Sequence, residues 1–218
     1  LGRAAMTFLH EAALRMLGLN NDVSQFESRH AAFVARRRGL RLPNLPTGFD
    51  ALAWGIIGQQ INVKFAGSLR RDLILLAGDK VGDMRAHPTP ERVADLTIAK
   101  LHARRYSRSK AKYLIGASQA VASGALDLES LPRGSAVAAE KNLTALHGIG
   151  TWTARYVMMR AGFADSAPVG DSALAAALQK LHKLEARPDH EQAAKLLAAF
   201  APQVVVSATY PGASSQVV

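Results

Sequence analysis

Hydrophobic residues recur at helical spacing along most of the chain. Phe49, Leu52, Ala53, Ile56 and Ile57 occupy positions i, i+3, i+4, i+7 and i+8, so they fall on one face of a helix. A second stripe follows and runs to the break at Gly78-Asp79; its members are Ile61, Phe65, Leu69, Leu73 and Leu76. These patterns predict two consecutive amphipathic helices.

The remainder of the chain shows the same periodicity. Thr89 followed by Pro90 is typical of a helix N-cap with proline at the first helical position, and it predicts a helix running towards Leu96. Further helices are predicted over residues 107–123, 135–146, 151–161, 172–183 and 190–200. Val204-Val205-Val206 is β-prone, but three residues are too few to predict a strand. The sequence therefore predicts an all-α fold with short loops, in which residues 36–45 form a loop or linker.

Composition narrows the choice of compartment and partner. The 218 residues include no cysteine, which excludes disulfides, iron–sulfur clusters and thiolate zinc sites. No stretch approaches the ~20 apolar residues of a membrane span, and charged residues interrupt positions 1–19, unlike a signal peptide. We expect no membrane association and a location in the bacterial cytoplasm, with the nucleoid, or in a nucleus. The net charge of +10 favours DNA or RNA as partner, although a generically basic protein is the alternative.

Two glycines lie between the helices predicted over 135–146 and 151–161, in the run Leu146-His147-Gly148-Ile149-Gly150-Thr151-Trp152-Thr153-Ala154. Gly148 can adopt the left-handed conformation that ends a helix, and Gly150 allows the backbone of the turn to approach another molecule or segment closely. The N–H groups that begin the second helix could then receive a phosphate. An ordinary helix–helix turn is the alternative.

Four sequence blocks together carry a resemblance to a known family. The run LHGIGTWTARYVMMR is followed by SAPVGDSAL, in which Pro168, Gly170 and Asp171 fill a loop; AWGIIGQQINV and SRSKAKY precede them. In this order the blocks resemble the helix-hairpin-helix-GPD superfamily of DNA glycosylases, nearest to the 3-methyladenine DNA glycosylase II branch. The resemblance implies two helical subdomains with the active site in the cleft between them. It divides the chain into an N-terminal helical segment with a linker (1–45), a helix-hairpin-helix glycosylase core (46–200) and an atypical C-terminal tail (201–218).

The resemblance assigns the catalytic carboxylate to Asp171. A fixed carboxylate stabilises the oxocarbenium character that the sugar develops as the base departs. The local pattern alone predicts only an N-cap for the helix that begins at Ser172, and the two roles are compatible. Superfamily members that also cleave the strand carry a Schiff-base lysine where this chain has Trp152, so we expect simple hydrolysis.

Aromatic and amide side chains are candidates for the pocket and the DNA interface. Trp152 and Tyr156, spaced i, i+4, are expected to line the substrate pocket with Trp54 and Gln59, although core packing is the alternative for the aromatic residues. Gln60 matches the family's intercalating position, but two glutamines could simply end a helix. The expected DNA contacts from the hairpin are His147, Gly148, Ile149, Gly150, Thr151 and Thr153.

The segment from Lys100 to Lys112 contains no acidic residue and includes Arg105, Arg108 and Lys110. It predicts a patch that contacts phosphates, and an ordinary solvated surface is the alternative. The seven histidines show no metal-binding spacing, so no metal site is predicted. The resemblance allows a monovalent cation at the hairpin carbonyls and no other cofactor.

The sequence departs from the family after Pro202, where no second pocket tryptophan follows. We expect a monomer that binds double-stranded DNA containing damaged bases and hydrolyses alkylated purines from it. Because of this departure, a non-catalytic helix-hairpin-helix DNA-binding or damage-sensing protein remains an alternative. A helix-turn-helix regulator is a weaker one, since no recognition helix with a dimer element is evident.

Overall fold

The fold is almost entirely helical, as predicted. The computed structural model describes residues 2–34, 38–163 and 165–201. Its helices in these ranges are α1 (Arg3–Met16), α2 (Ser24–Arg29), α3 (Ala31–Val34), α4 (Gly48–Gly58), α5 (Val63–Ala77), α6 (Pro90–Ala94), α7 (Ile98–His102), α8 (Arg108–Ala122), α9 (Ala136–Thr144), α10 (Thr151–Ala161), α11 (Ser172–His182) and α12 (His190–Ala198). A 3-10 helix covers Leu131–Arg133, and strands β1 (Lys80–Val81) and β2 (Met84–Arg85) pair antiparallel.

The helices predicted from hydrophobic spacing are observed as α4, α5, α6 and α8 to α12. The last five begin and end within two residues of the predicted bounds. Three short features were not predicted, namely α7, the 3-10 helix and the pair of strands β1 and β2. Residues 38–45 form neither helix nor strand, as expected of a linker, whereas Arg36, Arg37 and Val204–Val206 lie outside the described residues. Within the described ranges, no helix combines the length and apolar character that crossing a bilayer requires.

Side-chain caps determine where many of these helices begin. A side-chain oxygen accepts a hydrogen bond from a backbone N–H two or three residues ahead at Thr47, Asn62, Thr89, Thr97, Ser107, Ser135, Asp171 and Asp189. Each of these bonds satisfies an N–H that has no partner within its own helix. The caps explain why predicted and observed N-termini agree so closely.

The buried carboxylate of Asp50 lies in the first turn of α4. Thr47 and Asp50 form a capping box, and Nδ1 of His87 lies 2.5 Å from Oδ1 of Asp50. Burial alone would raise the pKa of Asp50, but the hydrogen bond and charge of His87 and the hydrogen bond of Thr47 outweigh it. The pKa of Asp50 therefore lies below its ordinary value of 3.8.

The chain forms two compact units. One is continuous, Thr47–Val157, and its central helix is α8, which packs against α4, α6 and α7. The fully buried side chains that fill its core include Leu52, Ile56, Leu69, Leu73, Leu101, Leu114 and Leu143.

The other unit combines Leu1–Pro46 with Met158–Val218. Its first hydrophobic cluster joins α11 to α12 through Leu174, Leu178, Ala193 and Leu197. A second cluster contains Phe26, Val34 and Phe200, so that residues far apart in sequence share one core. Arg160 is buried, and its guanidinium donates to the carbonyl of Pro43 at 2.7 Å, which holds the linker in place.

Candidate functional site

The hairpin (residues 145–153) connects α9 to α10 in the unit Thr47–Val157. Gly148 has a φ of +85°, the left-handed region expected of it. Gly150 is exposed, and a Cβ built there would meet no atom within 4 Å in the described structure. The space beside Gly150 is therefore open to a molecule from outside. The first N–H groups of α10 have no acceptor within that helix, so this end of the hairpin can bind an anion such as a phosphate.

Tyr113 on α8 supports the turn from within. A Cβ at position 148 would lie 2.3 Å from Cγ of the Tyr113 ring, so only glycine fits at this distance. The His147 ring meets Tyr113 edge-on, with centroids 5.1 Å apart. Tyr113 was not among the predicted site residues. Its neighbour on the same helical face, Lys110, was predicted to be exposed, so no local signal indicated this contact.

Gln59 links the end of α4 to the hairpin. Its Nε2 donates to the carbonyl of Gly148 at 2.9 Å and to Oγ1 of Thr153 at 3.0 Å. Both hydrogens of the amide are thus engaged inside this unit. These bonds hold two parts of the unit together, and the expectation that Gln59 lines the substrate pocket stays a prediction.

Lys110 is buried, which corrects its assignment to a surface patch. Only 8% of the residue is exposed, and its Nζ donates to the carbonyls of Ile57 at 2.5 Å and Gln59 at 3.0 Å. These carbonyls lie at the C-terminal end of α4, where no following N–H of the helix is available to donate to them. Burial lowers the pKa of Lys110. An ammonium held in this way cannot also reach a phosphate.

The remaining candidates for DNA contact differ in exposure. His147, Gly150, Thr151, Gln60 and Arg108 are exposed. Ile149 and Thr153 are buried, at 4% and 3%, so any contact from these two residues is limited to their backbone. Arg105 is exposed, but it already pairs with Asp72 at 2.7 Å and lies over the ring of Phe65.

The predicted aromatic pair forms on α10. The rings of Trp152 and Tyr156 stack with centroids 5.5 Å apart and an interplanar angle of 18°, and both residues are half-buried. Gly55 allows α4 and α10 to approach, because a Cβ there would lie 3.3 Å from Cγ2 of Thr153. One face of Trp54 is covered by the guanidinium of Arg70, 5.7 Å from the ring centroid. A base could therefore stack only on the other face of Trp54.

Asp171 lies in the other unit, where it caps α11 as the local pattern predicted. Its Oδ1 accepts from the N–H groups of Ala173 at 2.9 Å and Leu174 at 3.0 Å. Within residues 2–34, 38–163 and 165–201, no group donates a hydrogen bond to Oδ2. The N-cap thus uses one carboxylate oxygen and leaves the other for a further partner.

Gly170 shapes the loop that carries Asp171. Its φ is +94°, and a Cβ built on it would lie 2.5 Å from Nε2 of His190, at the start of α12. His190 was not among the predicted site residues. Nothing in its sequence context indicates this contact, which depends on how α12 packs on α11.

Comparison with known proteins identifies the family. The model of the HhH-GPD superfamily of base excision DNA repair proteins matches residues 53–203. A DNA-3-methyladenine glycosylase from Bacillus subtilis is 34% identical over 196 residues, which are 85% of this chain and 63% of the relative. DNA-3-methyladenine glycosylase 2 from Escherichia coli is 33% identical over 129 residues, 58% of this chain and 45% of the relative. The chain thus spans less than two thirds of these relatives.

Solved structures show the same fold. A 3-methyladenine DNA glycosylase from Archaeoglobus fulgidus superposes with a TM-score of 0.83 at 22% identity, over 100% of this chain and 78% of the other. A DNA-3-methyladenine glycosidase from Bacillus halodurans superposes with a TM-score of 0.71 at 26% identity, over 93% and 88%. By the match over residues 53–203, the chain belongs to the HhH-GPD superfamily of base excision DNA repair proteins.

Proposed function

We propose that this protein is a monomeric DNA glycosylase that hydrolyses the N-glycosidic bond of alkylated purines in double-stranded DNA. The proposal rests on its family and on relatives named for 3-methyladenine. The net charge of +10 and the open N–H groups of α10 suit a polyanionic duplex. The observation that carries the proposal is the carboxylate of Asp171, which has one oxygen in the N-cap and the other without a hydrogen-bond donor in the described ranges.

Asp171 would stabilise the sugar while the base departs. As the C1′–N bond breaks, its electron pair goes to the base and positive charge develops on the sugar. A carboxylate whose orientation is already fixed by the N-cap stabilises that charge without reorganising. Water then forms the new C1′–O bond, and its proton leaves to solvent or to the base. An alkylated purine such as 3-methyladenine already carries positive charge, so little protonation is needed for it to leave.

We infer that the enzyme is monofunctional. The residue two positions after Gly150 is Trp152, which has no amine and cannot form an imine with the sugar. The stack of Trp152 and Tyr156 would instead present an electron-rich surface to a cationic base. No cofactor enters this chemistry. A monovalent cation would have to be held by hairpin carbonyls, of which that of Gly148 already accepts a bond from Gln59.

Release of free base from methylated duplex DNA tests the proposal. Wild-type protein should liberate 3-methyladenine, detected by chromatography, and leave alkali-sensitive sites, whereas borohydride should trap no covalent adduct. Asp171→Asn should keep DNA binding and lose excision. Asp189→Asn is the matched control, since Asp189 caps α12 in the same unit. Binding without release of base by the wild type would favour the alternative, a non-catalytic damage-sensing protein.

A further inference from the structure

Gln60 has an unusual backbone for a solvent-exposed glutamine. Its φ is +57°, a left-handed conformation that is unfavourable for a non-glycine residue. In the part of the chain that the structure describes, its side chain has no hydrogen-bond partner. Within the described residues, the strain is therefore not compensated by a hydrogen bond of the Gln60 side chain. It must be imposed by the residues on either side.

The preceding residue is fixed at both its backbone and its side chain. The carbonyl of Gln59 accepts a hydrogen bond from the ammonium of Lys110, and the amide of Gln59 donates to Gly148 and Thr153. Asn62 caps α5 just beyond the turn. The Gln60 turn (residues 59–61) is thus held between two helix ends, with Gln60 directed into solvent.

The same contacts connect this turn to the hairpin. The ammonium of Lys110 on α8 donates to the carbonyls at the end of α4. The amide of Gln59 donates to Gly148 in the hairpin and to Thr153 at the start of α10. Tyr113, one turn further along α8, packs on Gly148. Helix α8 therefore supports the hairpin and the Gln60 turn at the same time.

We propose that Lys110 and Gln59 are positioning residues that join the Gln60 turn and the hairpin into one rigid element. Gln60 then enters the gap left by an extruded base in the same event in which the hairpin binds the phosphates. Because the Gln60 turn is already ordered in the free protein, binding DNA does not cost the conformational entropy of ordering it. The inference rests on the proposed binding of DNA but not on base excision.

A double-mutant cycle on DNA affinity tests this coupling. The probes are an undamaged duplex and a duplex with one tetrahydrofuran abasic analogue, which has a gap without a base to excise. In the wild type, Gln60→Ala should lower the preference for the abasic duplex about tenfold. Gln59→Met removes both donors at similar volume and should lower the preference by a similar factor. In the Gln59→Met background, Gln60→Ala should then change it by less than about twofold.

Controls separate positioning from stability. Gln119→Met alters an exposed glutamine on α8 and should leave the preference unchanged. Lys110→Met should lower the abasic preference as Gln59→Met does, provided that thermal unfolding shows the variant to be folded. If Lys110→Met does not fold, the result for Gln59→Met alone tests the proposal. Equal effects of Gln60→Ala in both backgrounds would overturn the proposal, as would no abasic preference in the wild type. Since no base is released in this assay, excision of 3-methyladenine remains a separate test of the proposed function.

Discussion

The contact between Gly148 and Tyr113 predicts a specific cost for adding one methyl group to the hairpin. Gly148→Ala places a residue with a side chain at φ +85°, which costs about 1–2 kcal/mol. Its Cβ would also lie 2.3–2.4 Å from three atoms of the Tyr113 ring, and such overpacking costs roughly 1–3 kcal/mol. The expected loss in the free energy of unfolding is therefore about 2–5 kcal/mol.

A matched glycine separates the two contributions. Gly124 follows α8 with a φ of +77°, and a Cβ there would meet no atom within 4 Å in the described ranges. Gly124→Ala should therefore lose only the conformational part, about 1–2 kcal/mol. Urea unfolding of both variants, with the free energy taken from midpoint and slope, measures the difference.

Removing the ring gives the decisive comparison. In a Tyr113→Ala background, the steric part of the Gly148→Ala cost should disappear, leaving about 1–2 kcal/mol. Equal losses for Gly148→Ala and Gly124→Ala would refute the inference that Tyr113 supports the turn. An unchanged Gly148→Ala cost without the ring would refute it as well.

Three further predictions concern the hairpin, the loop before α11 and the start of α4. Gly150→Ala should unfold like the wild type, since its Cβ would meet no atom within 4 Å in the described residues. A titration should show that it binds duplex DNA more weakly, and unchanged binding would mean that the DNA phosphate does not lie beside Gly150. Gly170→Ala should destabilise the protein by about 1–2 kcal/mol through its φ of +94°, because the exposed ring of His190 can move away from the added methyl group. A loss well above that of Gly124→Ala in urea would contradict this. Because the pKa of Asp50 is lowered on folding, its stabilisation should be lost as the pH falls below 3.8 towards the folded value. Asp50→Asn should therefore show a smaller acid-induced loss, and an identical one would refute the assignment.

The starts of several helices were predictable from the local sequence. Thr89-Pro90, Ser107 and Asp171 mark helix starts that the structure confirms, because an N-cap depends on neighbouring residues alone. Helix α7 has five residues, too few to show a 3.6-residue period. The strands β1 and β2 have two residues each and show no alternation for the same reason.

The site was less predictable because it depends on tertiary contacts. Lys110 lies in a basic run and was assigned to the surface, whereas the carbonyls that bind its ammonium are more than 50 residues away in sequence. The hydrogen bonds of Gln59 were not predicted for a similar reason, since its partners Gly148 and Thr153 are about 90 residues away. The Trp152–Tyr156 pair was predictable, because i, i+4 spacing on a helix brings the two rings together.

In the proposed mechanism, the carboxylate of Asp171 stabilises the sugar during hydrolysis. Single-turnover excision from a duplex with one alkylated purine measures this directly, with enzyme in excess so that product release does not enter. Asp171→Asn should lower the excision rate by at least about a hundredfold, the loss typical of a deleted electrostatic stabiliser, while Asp189→Asn stays within a few-fold of the wild type. Equal rates for Asp171→Asn and the wild type would contradict the account.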